Sequence, residues 1–339
     1  MCTADSHSAS LVCSRPSLHS PLRRLRMGRS AARGLLSMPD QTFTPATPAT
    51  PATPATAPQH SVEDYKSGVK PTWCPGCGDF GVLNAVYNSL RAKGYAPQDV
   101  VLVSGIGCSS RLPFFSSTYG FHTVHGRTMP IATGIKVANP ELKVLALSGD
   151  GDAFAIGGGH FIHAARRNLD VCYVIMDNSI YGLTKGQTSP TSMVGFVTKT
   201  TPKGTPDRPV NPLQLAMASG ATFVARAFSG KPKELAELIV QGIDHKGFAI
   251  IDTYSPCPTF NKVNTFKYYR DQAVDLPRDH DASDVMQAWA RAQSTDPVYL
   301  GVLYRAEGEA SFEEHIQAAH SGTEENAAAV MEQILERYS

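Results

Sequence analysis

The stretch that decides the fold is VLALSGDG, which runs from Val144 to Gly151. Its five leading residues are apolar or small, as is typical of a strand buried on both faces, and the GDG that follows is typical of a tight turn. Outward from it, similar short runs recur at 100–103, 171–176 and 248–252. Four runs of this kind predict the buried central sheet of an α/β protein.

Helical patterns alternate with these runs. In 79–93 apolar residues recur at helical spacing, and Gly94 occupies the position that ends many helices. Asn211 and Ser229 are predicted to begin two further helices, the second with Pro232 in its first turn. The residues predicted to face inward from the first and last of these helices are Leu83, Val86, Tyr87, Leu90, Leu235, Leu238, Ile239 and Ile243. Strands that alternate with helices indicate a doubly wound, mostly parallel sheet covered on both faces.

The chemically informative residues follow the ends of the predicted strands. Cys108, Asp150, Asn178 and Cys257 each come after a different strand. Parallel sheets of this type bind ligands beyond the carboxyl ends of their strands. The four residues are therefore expected to converge on one edge of the sheet.

Asp150 and Asn178 have the character of magnesium ligands. Carboxylate and amide oxygens suit a hard cation that is shared with phosphate groups, and Gly149 and Gly151 allow the backbone to approach a diphosphate closely. Asn178 follows Asp150 by 28 positions, which leaves room for a helix and a returning strand. An ordinary strand-end turn is the alternative interpretation of GDG alone.

Four of the seven cysteines lie in turns rich in glycine and proline, namely Cys74, Cys77, Cys108 and Cys257. Thiolates in such turns are soft ligands suited to iron–sulfur or zinc. The CPGC motif alone is also compatible with half of a zinc site or with a redox dithiol. Cys172 lies inside an apolar strand and is interpreted as a small core residue.

The order and spacing of five motifs resemble the β subunits of 2-oxoacid:ferredoxin oxidoreductases, which bind thiamine diphosphate. The motifs are WCPGCGDFG, SGIGCSSR, HGR, GDGD and DNSIYGLTKGQTSPTS. The resemblance runs from about Val69 to Gln187 and continues through Cys257 to the C-terminal stretch. One departure is slight, since Asp177 stands where many members have Asn.

The resemblance implies the cofactors and the residues that hold them. Magnesium would be held by Asp150, Asn178 and the carbonyl of Ile180, and one 4Fe–4S cluster by the four turn cysteines. The residues expected at thiamine diphosphate are Ile106, Gly107, Cys108, Ser109, His125, Gly149, Gly151, Asp152, Gly182 and Leu183. His125 is also compatible with a capping or packing role, and Lys185 with a solvated loop charge.

The reaction implied is the oxidative decarboxylation of a 2-oxoacid, with CoA taking the acyl group and ferredoxin taking the electrons. Arg111 follows Cys108 by three positions, and the family tends to place a basic residue there when the substrate has a second carboxylate. An Arg fork grips a carboxylate well, so 2-oxoglutarate is the expected substrate. Pyruvate or a broad range of 2-oxoacids is the alternative, and Arg111 is also compatible with pairing to an acid of a partner subunit.

A partner α subunit is expected to supply the Glu that activates thiamine, because this chain shows no second α/β domain. Two other classes remain open on the residues alone. One is a thiamine-dependent decarboxylase or synthase subunit without a cluster, and the other is an iron–sulfur carrier without thiamine. The cysteines disfavour the first, and the pair Asp150 and Asn178 disfavours the second.

Residues 1–60 differ from the rest of the chain. They contain six Arg, no Lys, two Asp and no Glu, and ThrProAla repeats between Thr44 and Ala57. This composition predicts a disordered extension or a translation start placed too early, with Met27 or Met38 as the true start. An Arg- and Ser-rich stretch is also typical of an organelle transit peptide.

The predicted organisation is an extension at 1–60, a thiamine-diphosphate-binding domain with the 4Fe–4S site at 61–270, and a C-terminal arm at 271–339. Beyond residue 60 the chain carries 25 basic and 28 acidic side chains, which gives no reason to expect a nucleic-acid partner. No apolar run approaches the roughly 18 residues of a membrane span. A cytoplasmic protein is expected.

Overall fold

The computed structural model describes residues 60–320 and 335–337. An eight-stranded sheet runs through them in the order β2-β1-β3-β4-β6-β5-β8-β7. All neighbouring strands are parallel except β5 and β8. The strands are β1 (Val100–Ser104), β2 (Tyr119–His122), β3 (Lys143–Gly149), β4 (Val171–Asp177), β5 (Phe223–Phe228), β6 (Phe248–Tyr254), β7 (Ala273–Asp275) and β8 (Val298–Arg305).

Helices cover both faces of this sheet, because alternate side chains of each buried strand enter two separate cores. Leu145 of β3 packs in one core with residues of α1 and α5, whereas Ala146 packs in the other with residues of α2, α3, α4 and α7. The helices are α1 (Asp79–Lys93), α2 (Thr128–Ala138), α3 (Gly158–Arg166), α4 (Pro212–Ala218), α5 (Pro232–Asp244), α6 (Phe266–Gln272), α7 (Val285–Gln293) and α8 (Phe312–His320). The doubly wound α/β fold predicted from the sequence is confirmed.

Local signals set several of these boundaries. Gly94 ends α1 in the left-handed conformation with φ of 63°, which glycine adopts without strain. The Asn211 side chain accepts hydrogen bonds from the backbone of Leu213 and Gln214 and begins α4 as predicted. The predicted role of Ser229 is wrong. Its backbone N–H continues the pairing of the sheet by donating to Tyr254, and α5 begins two residues after Gly230, at Pro232.

The segment 271–339 contributes to the same sheet. β8 pairs antiparallel with β5, and β7 pairs parallel with β8. The predicted boundaries at 60 and 270 remain predictions, and what was expected of residues 1–59 lies outside the described residues. None of the helices in the described part has the length and apolar character needed to cross a membrane.

Candidate functional site

A cavity of about 270 Å³ opens at the carboxyl ends of β1, β3 and β4. Its lining residues are Ile106, Gly107, Cys108, Ser109, His125, Gly149, Asp150, Gly151, Asp152, Asn178, Ile180, Tyr181, Gly182, Leu183 and Thr184. Every residue that the sequence assigned to thiamine diphosphate or to magnesium is among them. Tyr181 and Thr184 were not predicted. The expected convergence of strand ends is therefore observed.

Asp152 fixes the shape of this cavity. Its buried carboxylate accepts hydrogen bonds from the backbone N–H of Ile106 at 2.9 Å and of Gly126 at 2.8 Å, and from the Ser148 hydroxyl at 2.6 Å. A Cβ on Gly105 would overlap this carboxylate, so the close approach requires glycine there. Three chain segments are thus held together by one side chain, whose oxygens are occupied by the protein itself.

Asp150, two residues earlier, has different hydrogen-bond partners from those of Asp152. Its carboxylate is 2% exposed, and the Thr191 hydroxyl lies 2.7 Å from it and 2.9 Å from the carboxylate of Asp177. Burial, and after it the negative charge of Asp177, raises the pKa of the Asp150 carboxyl to about 7. Burial also raises the pKa of the Asp177 carboxyl. Two buried carboxyl groups joined by one hydroxyl favour the binding of a cation beside them.

The turn after β4 presents the second oxygen ligand. The Asn178 side-chain oxygen accepts a hydrogen bond from the backbone N–H of Ile180 at 3.1 Å, and Ser179 between them takes a positive φ of 53°. The side-chain amide of Asn261 fixes the turn by donating a hydrogen bond to the backbone carbonyl of Asn178 at 2.9 Å. A carbonyl oxygen has two lone pairs, so Asn178 retains one for a cation. Asp150, Asn178 and Ile180 therefore fit magnesium.

We expect Thr191→Val to weaken cation binding at this site. The substitution keeps the shape of the side chain but leaves Asp150 and Asp177 without the hydroxyl that holds both. The lost hydrogen bonds of buried carboxyl groups should lower the free energy of unfolding by roughly 1–3 kcal/mol. Thermal unfolding with and without magnesium measures both effects. Thr191→Ser retains the hydroxyl and should behave like the parent chain, and an equal loss in both variants would contradict the role of the hydroxyl.

Two aromatic rings shape the mouth of the cavity. His125 Nδ1 lies 3.0 Å from the Asp152 carboxylate, and the His125 ring centroid lies 6.1 Å from that of Tyr181. The Tyr181 hydroxyl donates to the backbone carbonyl of Gly151 at 3.2 Å. A Cβ on Gly151 would overlap the Tyr181 ring, so glycine is required at this position. His125 lines the cavity, and its predicted contact with the cofactor stays a prediction.

Cys108 and Cys257 flank the loop that closes the cavity. Both sulfurs lie within 4 Å of the position that a Cβ on Gly182 would take, at 3.7 Å and 3.6 Å respectively. The Trp73 indole N–H donates to the backbone carbonyl of Cys108 at 2.6 Å and ties the preceding segment to this turn. Cys108 also lines the cavity. The cysteine turns and the cavity therefore share a wall.

Cys74 and Cys77 lie in a turn that is tied to the Cys257 segment. The Gly78 N–H donates to the carbonyl of Pro256 at 3.0 Å. The Ser255 hydroxyl donates to the buried carboxylate of Asp79 at 2.6 Å. These two hydrogen bonds join segments about 177 positions apart in the sequence and bring the four cysteines to one region.

The thiols are close enough to influence one another. Burial, and after it the charge of Asp79, raises the pKa of the Cys108 thiol to about 11, with smaller contributions from Cys257 and Cys74. Burial and Asp79 also raise the pKa of Cys77, with smaller contributions from Cys257 and Cys108. A thiolate in such surroundings is stabilised when it binds a metal.

The four cysteines do not surround one point in the way that the ligands of a single metal ion do. Among the described residues, no three His, Cys, Asp or Glu side chains form a group that could hold one ion. A tetrahedral zinc site would need its sulfurs within about 4 Å of one another, since Zn–S bonds are about 2.3 Å long. A cluster of four irons is larger than a single zinc ion and holds its cysteines further apart, so four cysteines near one another but not around one point are compatible with a cluster.

Arg111 lies outside the lining of the cavity. Its guanidinium donates to the Thr72 hydroxyl at 3.1 Å, and its backbone N–H donates to the carbonyl of Cys108 at 3.3 Å. Arg111 thus bridges the cysteine turns, and its predicted contact with substrate remains a prediction. Cys172 is buried within β4, and burial raises the pKa of its thiol to about 12.

Comparison with protein families agrees with this geometry. Residues 105–253 match the family described as the C-terminal TPP-binding domain of thiamine pyrophosphate enzymes. Residues 257–321 match the family described as the C-terminal part of the β subunit of pyruvate ferredoxin oxidoreductase. The first match contains all the residues that line the cavity, and the second begins at Cys257.

Individual relatives extend the similarity over most of the chain. The chain is 38% identical over 271 residues to subunit β of 2-oxoacid:ferredoxin oxidoreductase 2 from Aeropyrum pernix, covering 76% of this chain and 88% of that subunit. It is 45% identical over 260 residues to the corresponding subunit from Sulfolobus sp, covering 73% of this chain and 85% of that subunit. Over 199 residues it is 49% identical to the 2-oxoglutarate oxidoreductase subunit KorB of Mycobacterium tuberculosis, covering 59% of this chain and 53% of that subunit.

A solved structure shows the same fold. It is a chain of the 2-oxoglutarate:ferredoxin oxidoreductase from Magnetococcus marinus with 2-oxoglutarate, coenzyme A and succinyl-CoA bound. The match has a TM-score of 0.77 and 45% identity, and it covers 80% of this chain and 96% of the solved one. Cavity, sequence and fold agree, and the chain belongs to the β subunits of the 2-oxoacid:ferredoxin oxidoreductases.

Proposed function

We propose that this chain is the β subunit of an enzyme that oxidises 2-oxoglutarate and CoA to succinyl-CoA and CO₂. The reaction releases one proton and two electrons, and the electrons pass one at a time to two molecules of ferredoxin. The observation that carries the proposal is the position of Cys108, which lines the cavity and lies beside Cys257 across Gly182. This adjacency supports the transfer of electrons from the cavity to a cluster held by the cysteines.

Thiamine diphosphate supplies, when bound, a nucleophilic carbon and an electron sink for decarboxylation, and a 4Fe–4S cluster supplies a one-electron relay. In the proposed assignment, Asp150, Asn178 and the Ile180 carbonyl hold the magnesium that neutralises the diphosphate. Cys74, Cys77, Cys108 and Cys257 hold the cluster.

The remaining residues of the chain position and protect these groups. Asp152 holds the backbone of Ile106 and Gly126 in place through its buried carboxylate. The same carboxylate lies against Nδ1 of His125, so Nε2 is left to contact a bound ligand. Tyr181 lies over Gly151 and holds the turn after β3 through its hydroxyl group. These side chains are set before any ligand binds, which lowers the cost of ordering them.

A partner α subunit completes the proposed site. No Glu is among the described residues that line the cavity. The carboxylate that activates the aminopyrimidine ring is therefore proposed to come from the α subunit, which makes the active site an interface between the two chains.

Anaerobic purification of the assembled enzyme tests the proposal. We expect iron and sulfide in a ratio typical of one 4Fe–4S cluster per β chain, bound thiamine diphosphate, and CoA-dependent reduction of ferredoxin by 2-oxoglutarate. Thiamine without iron would favour a decarboxylase or synthase, and iron without thiamine would favour an electron carrier. Either result would refute the proposal.

Substrate choice has two candidates that relatives support. The relative from Mycobacterium tuberculosis is named for 2-oxoglutarate, whereas those from Aeropyrum pernix and Sulfolobus sp are named for 2-oxoacids in general. We propose 2-oxoglutarate because Arg111 supplies a guanidinium next to Cys108, which lines the cavity. Its one hydrogen-bonded side-chain partner, Thr72, is a neutral hydroxyl, so the positive charge remains available for a carboxylate.

Arg111→Leu should lower kcat/KM for 2-oxoglutarate by about 10- to 100-fold. A charge-assisted contact to a carboxylate contributes roughly 1.5–3 kcal/mol, which corresponds to this change in rate. Turnover of pyruvate and 2-oxobutyrate, which lack a second carboxylate, should fall much less or rise. Arg111→Lys keeps the charge without the fork and should be intermediate. Equal losses on all three substrates would mean that Arg111 supports the cysteine turns instead.

A further inference from the structure

Cys74 differs from the other three turn cysteines in its exposure. Cys77 and Cys108 are partly buried and Cys257 is buried, whereas Cys74 is exposed to solvent. A cluster held by these residues would come closest to solvent at Cys74. The side of the molecule around Cys74 is therefore where an electron would leave the protein.

Hydrogen bonds and packing place a second exposed segment beside this outlet. Pro258 packs against the Cys74 turn, since its ring lies 3.8 Å from the Cβ position of Gly76. The ammonium group of Lys262 donates to the carbonyl of Pro258. Phe260 and Val263 are exposed by 36% and 46%. We call the surface formed by Lys70, Cys74, Phe260, Lys262 and Val263 the outlet surface.

The two chain segments that carry the outlet surface are basic. Residues 65–78 and 255–270 contain no Asp or Glu, and their basic residues are Lys66, Lys70, Lys262, Lys267 and Arg270. Asp79, which follows the first segment, is buried, whereas Glu63 and Asp271, just outside the two segments, are exposed.

Two cations of the outlet surface remain without an acidic partner. Lys66 and Lys267 form ion pairs with Glu63 and Asp271. Within the described part of the chain, no carboxylate lies within 4.0 Å of Lys70 or Lys262. Exposed apolar residues between unpaired cations are typical of a surface that binds an acidic protein.

We propose that the outlet surface is the docking site for an acidic one-electron carrier protein. This inference rests on the proposed function, since it requires the cluster at the four cysteines. Each docking event moves one electron from the reduced cluster to the oxidised carrier, so two encounters remove the two electrons of one substrate. The unpaired lysines accelerate the encounter, and Phe260 and Val263 contribute apolar contact near Cys74.

Charge reversal in the assembled enzyme tests the docking site. The double variant Lys70→Glu/Lys262→Glu changes the charge by the same amount as a control, Arg91→Glu/Lys246→Glu. Arg91 lies in the last turn of α1, ahead of β1, and Lys246 lies just before β6, so both are exposed near the amino ends of the strands. Two acceptors are compared at several ionic strengths: an acidic ferredoxin with one 4Fe–4S cluster, and a zwitterionic sulfopropyl viologen whose net charge is zero.

We expect the Lys70/Lys262 variant to lose 10-fold or more in kcat/KM for ferredoxin at low salt, an order of magnitude typical of electrostatic steering. The loss should shrink as salt is added, and the viologen rate should stay at the parent level. The Arg91/Lys246 control should retain both rates. Unchanged ferredoxin kinetics in the Lys70/Lys262 variant would overturn the docking site, as would failure of that variant to bind the α subunit. Absence of any 2-oxoglutarate-dependent viologen reduction in the parent enzyme would refute the proposed function instead.

Discussion

Replacing Asp150 with alanine is expected to abolish magnesium-dependent binding of thiamine diphosphate by the assembled enzyme. Asp150 supplies the one carboxylate of the proposed ligand set, and the side chain of Asn178 and the carbonyl of Ile180 carry no charge with which to replace it. Loss of a charged ligand should weaken binding by at least about 100-fold, more than the loss of an outer partner such as Thr191. Calorimetric titration with thiamine diphosphate and magnesium measures the change.

The fold should survive this substitution. Burial, and after it the negative charge of Asp177, raises the pKa of the Asp150 carboxyl, so its removal relieves an unfavourable interaction. The thermal midpoint of the variant without magnesium should equal or exceed that of the parent, and its iron content should be unchanged. Asp99→Ala, at an exposed aspartate just before β1, is the control and should bind the cofactor normally. Unchanged affinity in Asp150→Ala would refute the magnesium role.

Serine substitution of any of the four turn cysteines is expected to remove most of the iron and sulfide from the protein. Serine oxygen is a poor replacement for a thiolate as an iron ligand. Cys257→Ser is the most informative variant, because Cys257 comes from a segment about 150 positions beyond Cys108 and has no CxxC motif of its own. Iron, sulfide and visible absorbance after anaerobic purification measure the loss, and reduction of ferredoxin should fall with them.

Cys172→Ser is the matched control for this series. Cys172 is buried in β4 away from the cavity, so serine there should lower stability but leave iron content intact. Full iron retention in Cys257→Ser would remove that residue from the ligand set. Equal loss of iron in Cys172→Ser would show that the measurement reports unfolding and not ligation.

The sequence predicted the part of the fold that local patterns encode. β1, β3, β4 and β6 are runs of apolar residues, and they were recognised because both faces of each strand are buried. β5 was missed because Arg226 interrupts its run, FVARAF. Arg226 is 3% exposed and lies opposite Asp252 of β6. Burial and the charge of Asp177 raise the pKa of the Asp252 carboxyl, whereas the positive charge of Arg226 lowers it. The sequence pattern of a single strand does not show that a charged residue in it lies opposite a charged residue of the neighbouring strand.

The candidate site likewise contains residues that the sequence patterns identify and residues that only the folded structure reveals. Residues within the recognised motifs, such as Asp150 and Asn178, line the cavity, and their role as magnesium ligands stays a prediction. The residues that support them were missed, because Thr191 and Asn261 act through hydrogen bonds to partners far along the chain. Thr191 lies within the motif DNSIYGLTKGQTSPTS, but its role depends on β3 and β4 being neighbours. Only the folded sheet reveals such a contact.

Gly182 sets a limit on how this site can change. The loop at this position lines the cavity and lies beside the sulfurs of Cys108 and Cys257. A methyl group there would touch both sulfurs at ordinary contact distance without disturbing the backbone. A chain with alanine at position 182 would therefore fold, but the added methyl group would fill the space beside the two sulfurs. Position 182 therefore tolerates a methyl group, whereas any larger side chain there would press on the sulfurs of Cys108 and Cys257.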